Sequence, residues 1–115
     1  MTVTLERVAE LARELPEVEE ATSWGSPCFK VRGKTFAGLT SRHDGAIWTR
    51  CDRDERPLLV ASNPDAYRLT PHFERSPAYL LIWLELIEED ELRERLVDAW
   101  LIQAPKRLAA QHDVG

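Results

Sequence analysis

Hydrophobic positions recur along this chain with two different periods, and the change between them marks out its elements. Over residues 3–15, Leu5, Val8, Ala12 and Leu15 fall on one stripe, while Glu6, Arg7, Glu10, Arg13 and Glu14 fall off it. That spacing predicts an amphipathic helix with one buried face. Thr2 or Thr4 is placed to cap it, and Pro16 ends it, because a proline disfavours helical geometry in the residue before it. From Val18 the pattern becomes that of strands. Val18–Trp24, Cys28–Arg32, Thr35–Thr40 and Ile47–Cys51 are short and rich in β-branched or aromatic residues. Gly25-Ser26-Pro27, Gly33-Lys34 and His43-Asp44-Gly45 separate them, each with a glycine able to take a positive φ. Four strands joined by short turns predict an antiparallel meander.

A short helix is expected over Glu55–Ser62, with Asp54 as its cap and Pro57 in its first turn, closed by Asn63-Pro64-Asp65. Tyr67–Thr70 reads as a short edge strand and Tyr79–Leu86 as a longer one. In the latter Leu80, Ile82, Leu84 and Leu86 share one face, and Tyr79, Leu81, Trp83 and Glu85 share the other. Residues 89–103 predict a second long helix, with Leu92, Leu96, Ala99 and Gln103 along its stripe and Val97 and Trp100 beside it. Glu88 to Glu91 suit the positive end of that helix's dipole, and Glu89–Arg93 and Glu91–Arg95 are i,i+4 pairs assigned to its solvent side. Pro105 breaks it before a basic turn, Lys106-Arg107-Leu108. The expected fold class is α+β: an N-terminal helix, an antiparallel meander with an inserted short helix, then a last strand and a C-terminal helix packed on one sheet face.

The 115 residues suit a single domain spanning 1–115, large enough to bury a core without a metal or disulfide staple. No apolar run approaches a membrane span, and the first residues lack the basic and apolar regions of a signal peptide. Two cysteines, Cys28 and Cys51, are too few for a secreted disulfide scaffold and read as small buried thiols in a reducing cytoplasm. The net charge of −5 argues against indiscriminate polyanion binding, but its distribution is uneven. Residues 1–29 and 76–115 each carry −4, whereas residues 30–75 carry +3.

Several segments then align with one known pattern. Leu15-Pro16-Glu17-Val18, Thr22-Ser23-Trp24-Gly25-Ser26-Pro27-Cys28-Phe29-Lys30-Val31 and Gly33-Lys34-Thr35-Phe36-Ala37 resemble the signature of the MmcQ/YjbR-like family. Asn63-Pro64-Asp65-Ala66-Tyr67, Thr70-Pro71-His72-Phe73, Asp98-Ala99-Trp100 and Ala104-Pro105-Lys106-Arg107-Leu108 extend the resemblance from about residue 5 to 110. Ala78-Tyr79 stands where one branch of the family has a His-Trp pair, so the chain resembles the other branch. The resemblance implies a fold similar to the frataxin (CyaY)-like and secretion-chaperone-like α+β folds, and a family often labelled DNA-binding.

Catalytic chemistry is not visible in the residues. His43, His72 and His112 fall in a turn, a loop and the tail, none beside a glycine-framed serine. Ser41-Arg42-His43-Asp44 has suitable residue types, but neighbours in a β-turn point apart. Glu19-Glu20 and Glu88 to Glu91 read as solvated runs. Glu6, Glu10 and Glu14 form an acidic ridge better suited to solvent than to a cation, and no metal-ligand spacing appears. Gly33-Lys34-Thr35 lacks the upstream glycine of a phosphate loop, position 28 being Cys. The chain is therefore expected to be no enzyme, with no catalytic residue, no cofactor and no metal. Trp24 and Trp100 read as structural.

One constellation remains. Strand parity puts Cys28, Lys30 and Arg32 on one side, Trp48 and Arg50 on another such side, and Tyr79 and Trp83 opposite the leucine-rich face. Were these sides shared, the sheet would present Lys30, Arg32, Trp48, Arg50, Tyr79 and Trp83 together. Arginines among aromatic rings suit nucleic acid, in line with the family label. They equally suit a homodimer or other protein interface, and they also suit a self-covered face with arginines lying over the rings. The expectation is a cytoplasmic binding module, with DNA as its ligand or, alternatively, a protein-interaction or chaperone-like module using the same face.

Overall fold

A capped helix is the first element of the fold. The computed structural model describes residues 3–23, 25–40 and 45–114. Thr2, Trp24, residues 41–44 with His43 among them, and the side chain of His112 lie outside the described residues. Helix α1 (Leu5–Arg13) starts at Thr4, whose hydroxyl accepts a hydrogen bond from the Arg7 amide at 3.1 Å. Its buried face is Val8, Leu11 and Ala12, while Leu5 is 41% exposed and belongs to the rim.

Five strands follow, β1 (Val18–Ser23), β2 (Ser26–Val31), β3 (Lys34–Leu39), β4 (Ala46–Arg50) and β5 (Tyr79–Trp83). They pair antiparallel in the order β1-β2-β3-β4-β5, so the expected meander is present. Val31 pairs with Lys34 across a two-residue turn in which both Arg32 (φ 51°) and Gly33 (φ 81°) are left-handed. Such a turn matches the twist of the strands it joins.

A β-bulge sits in β3. Phe29 opposes Ala37, yet its neighbour Lys30 opposes Thr35, leaving Phe36 as an extra residue. In a bulge two residues oppose one, so Phe36 and Ala37 both turn inward, and both are fully buried. Simple alternation would have sent one of them to the other face.

Between β4 and β5 lie α2 (Arg56–Ser62) and a single turn, α3 (Pro71–Glu74). The turn before α2 is capped by Asp52, whose carboxylate accepts the amides of Asp54 at 2.7 Å and Glu55 at 3.4 Å, rather than by Asp54. Tyr67–Thr70 is not a strand. Ala66 and Tyr67 lie in a turn after α2, and both are fully buried. The Tyr67 hydroxyl donates to the Glu91 carboxylate.

After β5, Leu84–Leu86 forms a 3₁₀ turn, so the strand stops at Trp83 and Leu86 is exposed. Helix α4 (Glu89–Gln103) buries Leu92, Leu96, Ala99 and Trp100. Of the two expected pairs on α4, Arg93 does approach Glu89, at 3.8 Å. Arg95 instead reaches Asp98 at 3.0 Å and is largely buried. The basic turn after Pro105 is a further helix, α5 (Lys106–Val114), which seats Leu108 in the core. Pro105 ends α4 and opens α5, since a proline is as well suited to a helix start as it is unsuited to an interior.

Helices α1 and α4 pack on one sheet face, against Phe29, Val31, Phe36, Ala37, Ile47, Leu80 and Ile82. Trp100 anchors this layer, its indole N–H donating to the Pro16 carbonyl at 3.0 Å. No described helix is long and apolar enough to cross a membrane.

Candidate functional site

The opposite sheet face is defined by register. Paired residues in an antiparallel ladder project to the same side. Glu19 opposes Lys30, Ala21 opposes Cys28, Cys28 opposes Gly38, Gly38 opposes Trp48, and Trp48 opposes Leu81. On the same side Arg50 opposes Tyr79 and Ala46 opposes Trp83. Lys30, Trp48, Arg50, Tyr79 and Trp83 therefore share one surface, and none belongs to the core beneath the helices.

Arg32 does not join them. Its left-handed turn conformation ends the alternation of β2 at Val31, and its guanidinium is forked onto Glu17, at 2.7 and 2.9 Å. Glu17 is itself left-handed (φ 55°), so the pair ties two irregular turns together.

The floor of the face is apolar and small. Cys28, Ala46 and Leu81 are buried, and Gly38 leaves room for the Trp48 indole to lie across the backbone. The Tyr79 ring meets Trp48 edge to face, with centroids 5.6 Å apart. The Arg50 guanidinium lies 5.0 Å from the centre of the Tyr79 ring, and its Nε is buried with no hydrogen-bond partner. At the β5 edge, the Arg68 guanidinium stacks 4.5 Å from the Trp83 ring centre, and the Trp83 indole donates to the Arg68 carbonyl at 2.8 Å. Each of these geometries is favourable for a cation over an aromatic face.

Sequence reasoning missed Arg68 because it lay in a segment read as an edge strand. It missed Gly38 as well, whose significance depends on which residue sits opposite. Arg56, between the two strands of this edge, is a positioning residue. One of its amino groups donates to the carbonyls of Phe73, Ser76 and Tyr79 at 2.8, 2.9 and 3.1 Å, which fixes the start of β5.

The two thiols play no visible part. Both are free and buried, and burial pushes the Cys51 thiol up to about 11. Among the described residues, no group of three or more His, Cys, Asp or Glu side chains is arranged to hold a metal ion.

A sequence model of the YjbR family matches residues 13–102, more than three quarters of the chain. The chain belongs to the YjbR family. Uncharacterized proteins of Mycobacterium tuberculosis (Rv2570) and Mycobacterium bovis (Mb2600) are each 48% identical to it over 57 residues. Those matches take in 50% of this chain and 43% of each relative, so they span less than half the length of the curated relatives. The crystal structure of the Deinococcus radiodurans protein DR2400, which carries a domain named DUF419, superposes with a TM-score of 0.69 at 18% identity. It covers 86% of this chain and 77% of that one, a likeness of fold.

Proposed function

We propose that this YjbR protein is a non-enzymatic binding module that takes single-stranded nucleic acid, DNA foremost, on the outer sheet face. The observation that carries the reading is the row of half-buried rings, Trp48, Tyr79 and Trp83, with Arg50 and Arg68 lying over two of them. Aromatic rings on a sheet offer stacking surfaces to unpaired bases, and the adjacent cations Lys30, Arg50 and Arg68 suit the backbone phosphates. The acidic remainder of the chain favours a local contact of this kind over wrapping of a duplex. The two free cysteines favour a reducing, cytoplasmic setting.

Fluorescence anisotropy with labelled single- and double-stranded DNA across a salt series tests this. Three phosphate contacts predict a slope of log affinity on log salt of about −2 for single strands. Loss of one stacked base in Trp48→Ala weakens binding roughly five- to a hundredfold. Arg50→Ala and Arg68→Ala lower both affinity and slope, whereas Arg32→Ala, whose guanidinium is engaged by Glu17, changes neither. Absence of binding at low salt overturns the reading.

A second reading rests on the floor of the same face. That buried floor, Cys28, Ala46 and Leu81, holds up the half-buried rings Trp48, Tyr79 and Trp83, and rings with arginines beside them are a composition favoured in protein interfaces. Under that reading a second copy of the chain packs here, and sedimentation equilibrium gives a concentration-dependent mass that Trp48→Asp abolishes.

A further inference from the structure

A cavity of about 190 Å³ opens between the C-terminal end of β4, the start of α2 and the middle of α4. It lies on the helix-covered side of the sheet, and of the outer-face residues named above only Arg50, at the end of β4, also borders it. Its walls are aliphatic, from Leu59, Leu80, Leu101 and Ile102. Its inner polar groups are unusual. Thr49 is 1% exposed, faces α4 from the sheet, and its hydroxyl has no hydrogen-bond partner. A buried hydroxyl without a partner is costly, and native interiors rarely leave one.

Arg95, opposite on α4, carries a second such atom. Arg7 and Arg32 each grip one carboxylate through both Nε and Nη2. Arg95 offers only Nη2 to Asp98, at 3.0 Å, and its Nε is buried with no partner. The Nε corner of this guanidinium is therefore unmatched, in a side chain that lines the same cavity as the unmatched Thr49 hydroxyl. Both atoms can donate to an oxygen, and donors flanking a guanidinium bind a carboxylate best.

The mouth has the opposite character. Asp52, Glu55 and Asp98 are exposed there. Asp52 is occupied in part by the amides of Asp54 and Glu55, and Asp98 by Arg95, but their charge remains. Three acidic residues against Arg50 and Arg95 disfavour a simple anion. They favour a ligand with a positive group at its outer end.

We propose that this cavity binds a short ω-amino acid, its carboxylate on Arg95 and Thr49 and its ammonium at the Asp52–Glu55 mouth. The space matches roughly six waters at ~30 Å³ each, enough for a chain of a few carbons along the aliphatic walls. This inference does not depend on the nucleic-acid reading.

The test uses 4-aminobutyrate, butyrate and butylamine as probes against the full chain, by isothermal titration and amide NMR shifts. The expected result is that 4-aminobutyrate binds more tightly than either half-molecule and shifts the amides of Thr49 and Arg95. Thr49→Val removes the hydroxyl while keeping the shape. It folds with a melting temperature at or above that of the parent, and binds 4-aminobutyrate about ten- to a hundredfold more weakly, the worth of one hydrogen bond to a charged group. Glu55→Gln weakens 4-aminobutyrate and does not weaken butyrate, whose repulsion by the mouth it lowers. Equal binding to parent and Thr49→Val, or no response to any of the three probes, overturns the proposal. So does butylamine binding as tightly as 4-aminobutyrate.

Discussion

Gly38→Ala is the sharpest probe of how the outer face is built. Gly38 lies in β3 opposite Trp48, without a left-handed φ, so the substitution tests space alone. A Cβ built there would stand 2.8 Å from the indole Cε2, Cζ2 and Nε1 atoms of Trp48. Comfortable carbon contacts begin near ~3.5 Å, so the ring must retreat by about 0.7 Å. Retreat is resisted, because the indole also meets the Tyr79 ring, which in turn lies beneath Arg50. Overpacking of this kind costs about 1–3 kcal/mol. For a domain of this size that corresponds to a fall in Tm on the order of 4–15 °C by calorimetry. Near-UV circular dichroism should change with it, as the Trp48–Tyr79 geometry is lost. The decisive measurement is a double-mutant cycle. On a Trp48→Ala background the three atoms nearest the added methyl are gone, so Gly38→Ala becomes neutral or mildly stabilising by about 0.4–1 kcal/mol, through loss of unfolded-chain freedom. Additive effects, within about 0.5 kcal/mol, would refute the argument that Trp48 lies across Gly38.

Arg56→Ala removes donors from four carbonyls, those of Phe73, Glu74, Ser76 and Tyr79, on the approach to β5, and costs about 1.5–3 kcal/mol in urea denaturation. Hydrogen exchange should quicken first over residues 70–79. Arg7 joins α1 to α4 by forking onto Glu89, which holds that carboxyl below the usual carboxylate range and the guanidinium above its own. A lowered folded-state value contributes stability that is present above the unfolded value and lost as pH falls through the folded one. Acid unfolding profiles should therefore show a step in the parent below the ordinary glutamate range that Glu89→Gln lacks. The Cys51 thiol, raised to about 11 by burial, should resist alkylation at pH 8 in the native protein and react fully in denaturant, as mass spectrometry would report. Rapid native labelling of Cys51 would contradict its burial against the Pro77 carbonyl.

The elements with strong local signals were legible in the sequence. A threonine cap on α1, most of the buried stripes of α1 and α4, the glycine turns and the meander of the first four strands follow from spacing and turn chemistry within about fifteen residues, whereas the place of β5 beside β4 does not. Parity also put Lys30, Trp48, Arg50, Tyr79 and Trp83 on matching sides of their strands, and the antiparallel register brought those sides together. What the sequence could not supply depended on partners distant along the chain. Arg32 looks like the next outward residue of β2 until the two-residue turn ends the strand and Glu17 takes its guanidinium. Phe36 and Ala37 share a face only because β2 skips one residue of β3. Tyr67 reads as the start of an edge strand and Arg95 as a solvent-side helix position, yet packing draws both inward, the first onto Glu91 and the second to the cavity that Thr49 also lines. Periodicity reports what one element would bury. The neighbour that covers it, and hence which polar atoms remain unmatched, is fixed when the sheet and helices close on each other.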